Sequence, residues 1–162
     1  MTLTDLVRNA FKLFHVGSKE EKPATPVSYS TDHLRKLSEI RGLDDYVVIH
    51  VETKGPDGVT YNIEYSHSHQ YGWVAELHRP ESAPAYSTVE GRLMGVMDNA
   101  EKKNLSGKNV INPKENITLA KVGDYIDQFG DVGLRNPIIT GVEFRQYIRR
   151  DLRLQAERIL KS

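Results

Sequence analysis

Five side chains able to do acid–base or metal chemistry recur at alternate positions within 162 residues: His50, Glu52, Glu64, Glu76 and His78. Alternate residues of a strand share one face. A carboxylate-flanked imidazole there is a general base, and a His/Glu set is a metal site. The centre of such a small metal-dependent hydrolase or nuclease would be His50 and Glu64. His67 and His69 offer a second metal pair, because His-x-His on a strand aims two imidazoles the same way. Arg145, Arg149 and Arg153 recur every four residues and, on a helix, would line up to grip phosphates or an acidic partner.

Each set has a plainer account. A solvated sheet face also carries cross-strand His–Glu pairs, worth a few tenths of a kcal/mol each. Ser66–Gln70 reads as a polar hairpin loop, and the arginines can pair along their own helix with Asp151 and Glu157. Catalysis needs a cavity that excludes water, which an open sheet face lacks. Glu52-Thr53-Lys54 places a carboxylate before a lysine in nuclease fashion. Its second acid, Asp44 or Asp45, lies on the same strand, which offers no neighbouring strand to bring it alongside. Phosphate-loop, dinucleotide, zinc-helix, nucleophile-elbow and calcium-loop patterns are absent from the sequence, so no cofactor is expected.

The elements that position these residues form an antiparallel meander over 46–79. Tyr46–Lys54 and Val59–Tyr65 alternate apolar and polar residues, and Gly55-Pro56-Asp57-Gly58 between them fits a type I turn closed by a glycine bulge. With Gly55 opposite Val59, His50 faces Glu64 and Val51 faces Ile63. Odd residues then look inward, while even ones, Val48 and Val74 included, look outward. For the third strand, Tyr71–Arg79, Tyr65 opposite Tyr71 sets Trp73 across from Ile63.

Helices are expected from an N-cap at Ser30 to Arg41, from a capping box at Ser87 to Lys103, from Thr118 to a stop at Gly130, and from a second capping box at Thr140 to Leu160. Gly91 and Gly95 share a helix face, which suits close approach of another backbone as well as coincidence. Asn104–Asn116 reads as a polar loop with a short strand at Val110-Ile111, and 136–140 as a fourth edge strand or an extended connector. Residues 3–14 place Leu3, Leu6, Val7, Ala10, Phe11 and Phe14 on one helical stripe. The fold class is α+β: a three-stranded antiparallel meander, with 136–140 available as a fourth edge strand, packed with four to five helices. The organisation is an N-terminal amphipathic helix (1–16), a linker (17–29) and one domain (30–162).

Composition narrows the function. Apolar residues at 38% and charged ones at 27% suit a globular domain, and no run reaches the ~18–20 apolar residues of a membrane span. No secretory leader is read at the N-terminus, and zero Cys excludes disulfides and thiolate sites, so the expected compartment is the cytoplasm. The 22 basic and 22 acidic residues cancel, which disfavours a dedicated nucleic-acid binder. Residues 30–98 hold 11 acidic against 6 basic side chains, and 131–162 hold 4 against 7. The expectation is a non-enzymatic protein-binding or assembly module that meets a protein partner or a second copy, through Leu3, Phe11 and Phe14 or through Arg145, Arg149 and Arg153. The alternatives are the His/Glu hydrolase and a nucleic-acid binder using the basic C-terminal helix.

Overall fold

The computed structural model describes residues 28–78, 80, 85–97 and 100–162. The helix expected at 3–14, with Leu3, Phe11 and Phe14, and nearly all of the 17–29 linker lie outside them. The alternating apolar pattern of the meander folds as its period requires. Strands β1 (Val47–Lys54), β2 (Thr60–Ser68) and β3 (Gly72–His78) are antiparallel, with His50 opposite Glu64 and Val51 opposite Ile63. Ile49, Val51, Tyr61, Ile63, Tyr65 and Trp73 are each at most 1% exposed, so the odd positions do face the core. The β1–β2 corner is the expected one: Gly55 N–H donates to Val59 O at 3.0 Å and Gly58 takes φ +80°.

The second hairpin corrects the expected register. Tyr65 lies opposite Ala75, Ile63 opposite Leu77, and Trp73 opposite His67. Strand β2 runs on through the stretch read as a loop and turns only after Ser68, whose Oγ accepts from Gln70 N–H and Tyr71 N–H while Gly72 takes φ +75°.

The meander is half of a six-stranded antiparallel sheet ordered β4-β5-β3-β2-β1-β6. The other strands are β4 (Glu101–Leu105), which was not expected, β5 (Lys108–Asn112), which contains the expected Val110-Ile111 strand, and β6 (Arg135–Phe144), which contains the edge strand read at 136–140. Thus the helix expected to run from Ser87 to Lys103 is only Tyr86–Val96 (α2), with Ala85 at its N-cap and no side-chain cap. Lys103 is in a strand, joined to β5 through Ser106 and Gly107, both at positive φ. Among the described residues nothing lies within 4 Å of a Cβ built on Gly91 or Gly95, so none of them brings a backbone close. The Thr140 capping box is not formed either. Strand β6 continues to Phe144, and the last helix, α4, is Arg150–Leu160.

Helix α1 (Thr31–Leu37) has the expected Ser30 cap, reciprocated by the His33 side chain. Helix α3 (Leu119–Asp127) is capped by Thr118 and ends before the expected Gly130, at a Gln128 C-cap; a separate 3-10 turn, Phe129–Val132, follows and closes at Gly133 with φ +80°. Leu34 of α1, Leu93 of α2, Val122 of α3 and Leu152 of α4 join the inward sheet residues in one apolar cluster. All four described helices therefore pack on the same sheet face. Tyr29, in the former linker, adds a backbone bridge to β6 through its N–H to Ile139 O at 3.0 Å.

Tyr65 is 0% exposed, and its hydroxyl has no hydrogen-bond partner among the described residues. Desolvation, then the nearby Tyr125, pushes its ionisation well above the ordinary tyrosine range. A buried hydroxyl without a partner costs roughly 1–3 kcal/mol. Tyr65→Phe is therefore expected to gain about 1 kcal/mol in urea denaturation, and a loss of stability would contradict this. Above about pH 10 an unfolded tyrosine ionises while native Tyr65 keeps its proton, so stability falls with pH. The variant should lack that share of the alkaline slope.

Candidate functional site

The outward residues of β1, β2, β3 and β6 form a face on which histidines and carboxylates alternate. Cα register sets His50 across from Glu64, but the imidazole turns the other way. It lies over Gly141 of β6, where a Cβ would stand 3.5 Å from His50 Cδ2, and its Nε2 comes to 3.1 Å from Glu143 Oε1. Glu64 Oε1 instead meets His78 Nε2 at 3.4 Å. His78 Nδ1 lies 3.8 Å from Glu76 Oε2, and Lys108 Nζ of β5 stands 3.8 Å from Glu76 Oε1. The sequence pairing of His50 with Glu64 is thus replaced by two separate groups, His50–Glu143 and Glu64–His78–Glu76–Lys108. Glu143 was missed because it was read as part of a helix cap.

Tyr29, His50, Asn62, His78, Thr140 and Glu143 contribute to a depression of about 420 Å³ on this face. It is open, and Glu143 at its wall keeps 68% of its side chain exposed. Charges there are screened by water, and an imidazole between carboxylates can exchange protons with solvent but gains little of the field strength of a closed site. Val74 is outward but covered, at 3% exposure, and lies outside the core cluster.

His67 and His69 do not converge. Because β2 runs to Ser68, His67 sits on the inward side of its end, with Nδ1 3.0 Å from Asp45 Oδ1 and its ring edge-on to Trp73 at 5.9 Å. His69 is exposed in the turn. Trp73 Nε1 donates to Asp44 Oδ2 at 3.3 Å, so both acids of the nuclease-like reading face the β2–β3 end and not Glu52. Among the described residues no three His, Asp or Glu side chains are grouped to hold a metal.

Comparison with known protein families, characterised proteins and solved structures finds no match to this chain.

The arginine row is the third expectation that the structure redraws. Of Arg145, Arg149 and Arg153 only Arg153 is within a helix; Arg149 is the N-cap of α4, and Arg145 follows β6. Arg145 N–H donates to Tyr46 O at 2.8 Å and its Nη2 donates to His67 O at 3.2 Å. Arg149 forks onto Asp151 at 3.1 and 2.7 Å; that hydrogen-bonded carboxylate raises the guanidinium pKa and is itself held below its usual range. Arg153 Nε donates to Glu157 at 3.1 Å while its guanidinium lies 5.8 Å from the Phe144 ring centre. Beside them Tyr46 and Tyr147 meet edge-on at 5.7 Å, a contact hidden from sequence reasoning because the expected Thr140–Leu160 helix would have included Tyr147.

Both edges of the three-stranded meander are covered, β1 by β6 and β3 by β5. The sheet's own edges are guarded. Strand β4 carries three successive charged side chains, Glu101, Lys102 and Lys103, and β6 carries Pro137, a bulge near Thr140 and the Tyr29 bridge. Among the described residues no helix is long and apolar enough to cross a membrane.

Proposed function

We propose that this chain is a non-enzymatic protein-binding or assembly module in which residues 3–14 supply one contact element. The supporting observation is the distribution of apolar surface. The described body gathers its large apolar side chains into one core, and the ones it leaves exposed are Ile138, Tyr147 and Leu154, on β6, the following connector and α4. Against these three, residues 3–14 place Leu3, Leu6, Val7, Ala10, Phe11 and Phe14 at helical spacing. Fully burying a side chain of the Leu or Phe class is worth roughly 1.5–3 kcal/mol, so a six-residue stripe is a strong drive toward a groove on a partner or a second copy. The sheet face is open and its histidines lie beside exposed or half-buried carboxylates, which suits recognition better than catalysis.

Deleting residues 1–16 is expected to lower the mass seen by light scattering while circular dichroism stays that of an intact fold. An unchanged mass would defeat the proposal. So would unfolding, which would mean that the segment packs on its own domain.

A further inference from the structure

We propose that the arginine–tyrosine cluster at the end of β6 docks on the carboxylate-bearing sheet face of a second copy of this chain. The inference rests on the assembly reading and names a contact that the N-terminal stripe does not make.

The cluster comprises Tyr46, Phe144, Arg145, Tyr147, Arg149 and Arg153. Tyr147 is 64% exposed, and the Arg149 and Arg153 side chains are 68% and 52% exposed. Tyrosine and arginine are the residues that most often anchor protein contacts. Here they are already ordered: Tyr147 by the Tyr46 ring, Arg153 by Phe144 and Glu157, Arg149 by Asp151. Ordering before contact lowers the entropy lost on docking. Their donors are not used up. A guanidinium carries five N–H groups; Arg153 spends Nε on Glu157, and Arg149 spends Nε and Nη2 on Asp151 and keeps Nη1.

Charge complementarity selects the occupant. The outward face presents Glu52, Glu64, Glu76 and Glu143. Two such faces would oppose carboxylates, and two clusters would oppose arginines, so neither surface suits its own copy. The face points away from the four helices, whereas the cluster lies at one strand end and runs onto α4, which packs on the other side. One chain therefore cannot close the contact on itself. A contact between unlike patches builds a ring or an open chain of copies rather than an isologous pair.

The experiment uses the full chain in sedimentation velocity, at low salt and at about 0.5 M NaCl, where screening shrinks the Debye length to a few Å. The wild type is expected to be heavier at low salt. Arg149→Glu/Arg153→Glu and Glu64→Arg/Glu143→Arg should each lose that extra mass. An equimolar mixture of the two should regain a mass at least twice that of either, because every contact again joins opposite charges. Neutral Arg149→Gln/Arg153→Gln, checked by circular dichroism, guards against a folding artefact and should also lose the extra mass. The inference is overturned if the variants keep the wild-type mass, if only one of the two charge-reversed variants dissociates, or if the mixture stays light, the result expected of another acidic partner. A mass that falls on deleting 1–16 but ignores the charge variants overturns this contact and leaves the assembly reading standing. A mass that ignores the deletion but follows the charge variants overturns the contact proposed for residues 3–14 and leaves this one standing.

Discussion

Gly55→Ala is expected to lower the unfolding free energy by about 2–3 kcal/mol, the upper part of the range for overpacking a close-fitted site. A Cβ at this position would stand 2.9 Å from Tyr61 Cε1, 2.9 Å from Val89 Cγ2 and 3.0 Å from Asp57 Oδ1. Neither main neighbour can step aside cheaply. Val89 is β-branched and 0% exposed in α2, and the Tyr61 ring is 0% exposed and tied by its hydroxyl to Asp57 Oδ2 at 2.8 Å. Desolvation pushes the Asp57 carboxyl up, but hydrogen bonds from the Tyr61 hydroxyl and the Val59 N–H outweigh it and leave the carboxyl below its usual range. That contribution is present above the pKa of an unfolded aspartate and fades as pH falls through the lower native value. Moving the ring to admit a methyl group would break this closure of the turn. The check is urea denaturation: the midpoint should drop with an unchanged slope. A loss under about 0.5 kcal/mol, the ordinary surface value, would show that the corner relaxes freely.

Arg35→Ala is expected to cost about 1–2 kcal/mol, with a salt dependence opposite in sign to that of the wild type. Arg35 joins α1 to α3. Its Nη2 reaches Asp124 Oδ1 at 2.9 Å and also Asp127, while Nη1 meets Asp32 at 3.0 Å and Thr31 Oγ1 at 3.1 Å. The carboxylates, Asp124 first and Asp127 next, hold the guanidinium firmly charged. Hydrogen bonds to charged groups run to about 1.5–3 kcal/mol, but this side chain is 34% exposed and the site is discounted for screening by water. Without the arginine, Asp32, Asp124 and Asp127 repel across the helix pair, so added salt should stabilise the variant while weakening the wild type. Arg35→Lys should recover less than half of the loss, because an ammonium cannot span several carboxylates with a planar fork. Parallel salt responses of wild type and variant would dismiss the clamp.

The same physics explains which elements could be read in advance. A one-residue slip of β1 against β2 would press Glu64 against Val51, so that register was legible. The β2–β3 register was not, because the expected and observed pairings differ by an even shift. Trp73 stays inward whether it meets Ile63 or His67, and only the Ser68–Gly72 turn chooses between them. The edge strand was legible over 136–140, but its run on to Phe144 was not, because the pairing of β6 to β1 shifts between His50 and Val51, so that Ile139 meets Val51 while Val142 meets Ile49. The bulge breaks the period-two signal, and Thr140 to Glu143 then imitates a helix cap. Glu101-Lys102-Lys103 has helix-forming composition and becomes a strand only because β5 and Glu90 hold it, Lys102 Nζ lying 3.3 Å from Glu90 Oε1.

Composition and period two determined the α+β class, the inward and outward sides of the meander and the Gly55–Gly58 corner, because each depends on neighbours a few residues away. The partners of the chemically capable side chains were decided by tertiary structure alone. His50 turned to Glu143, His67 to Asp45 and Arg145 to the end of β2 because strands distant in sequence became adjacent in space. A side chain's period says which way it points, but its partner is set by which strand pairs next to it, and that is a property of the closed sheet.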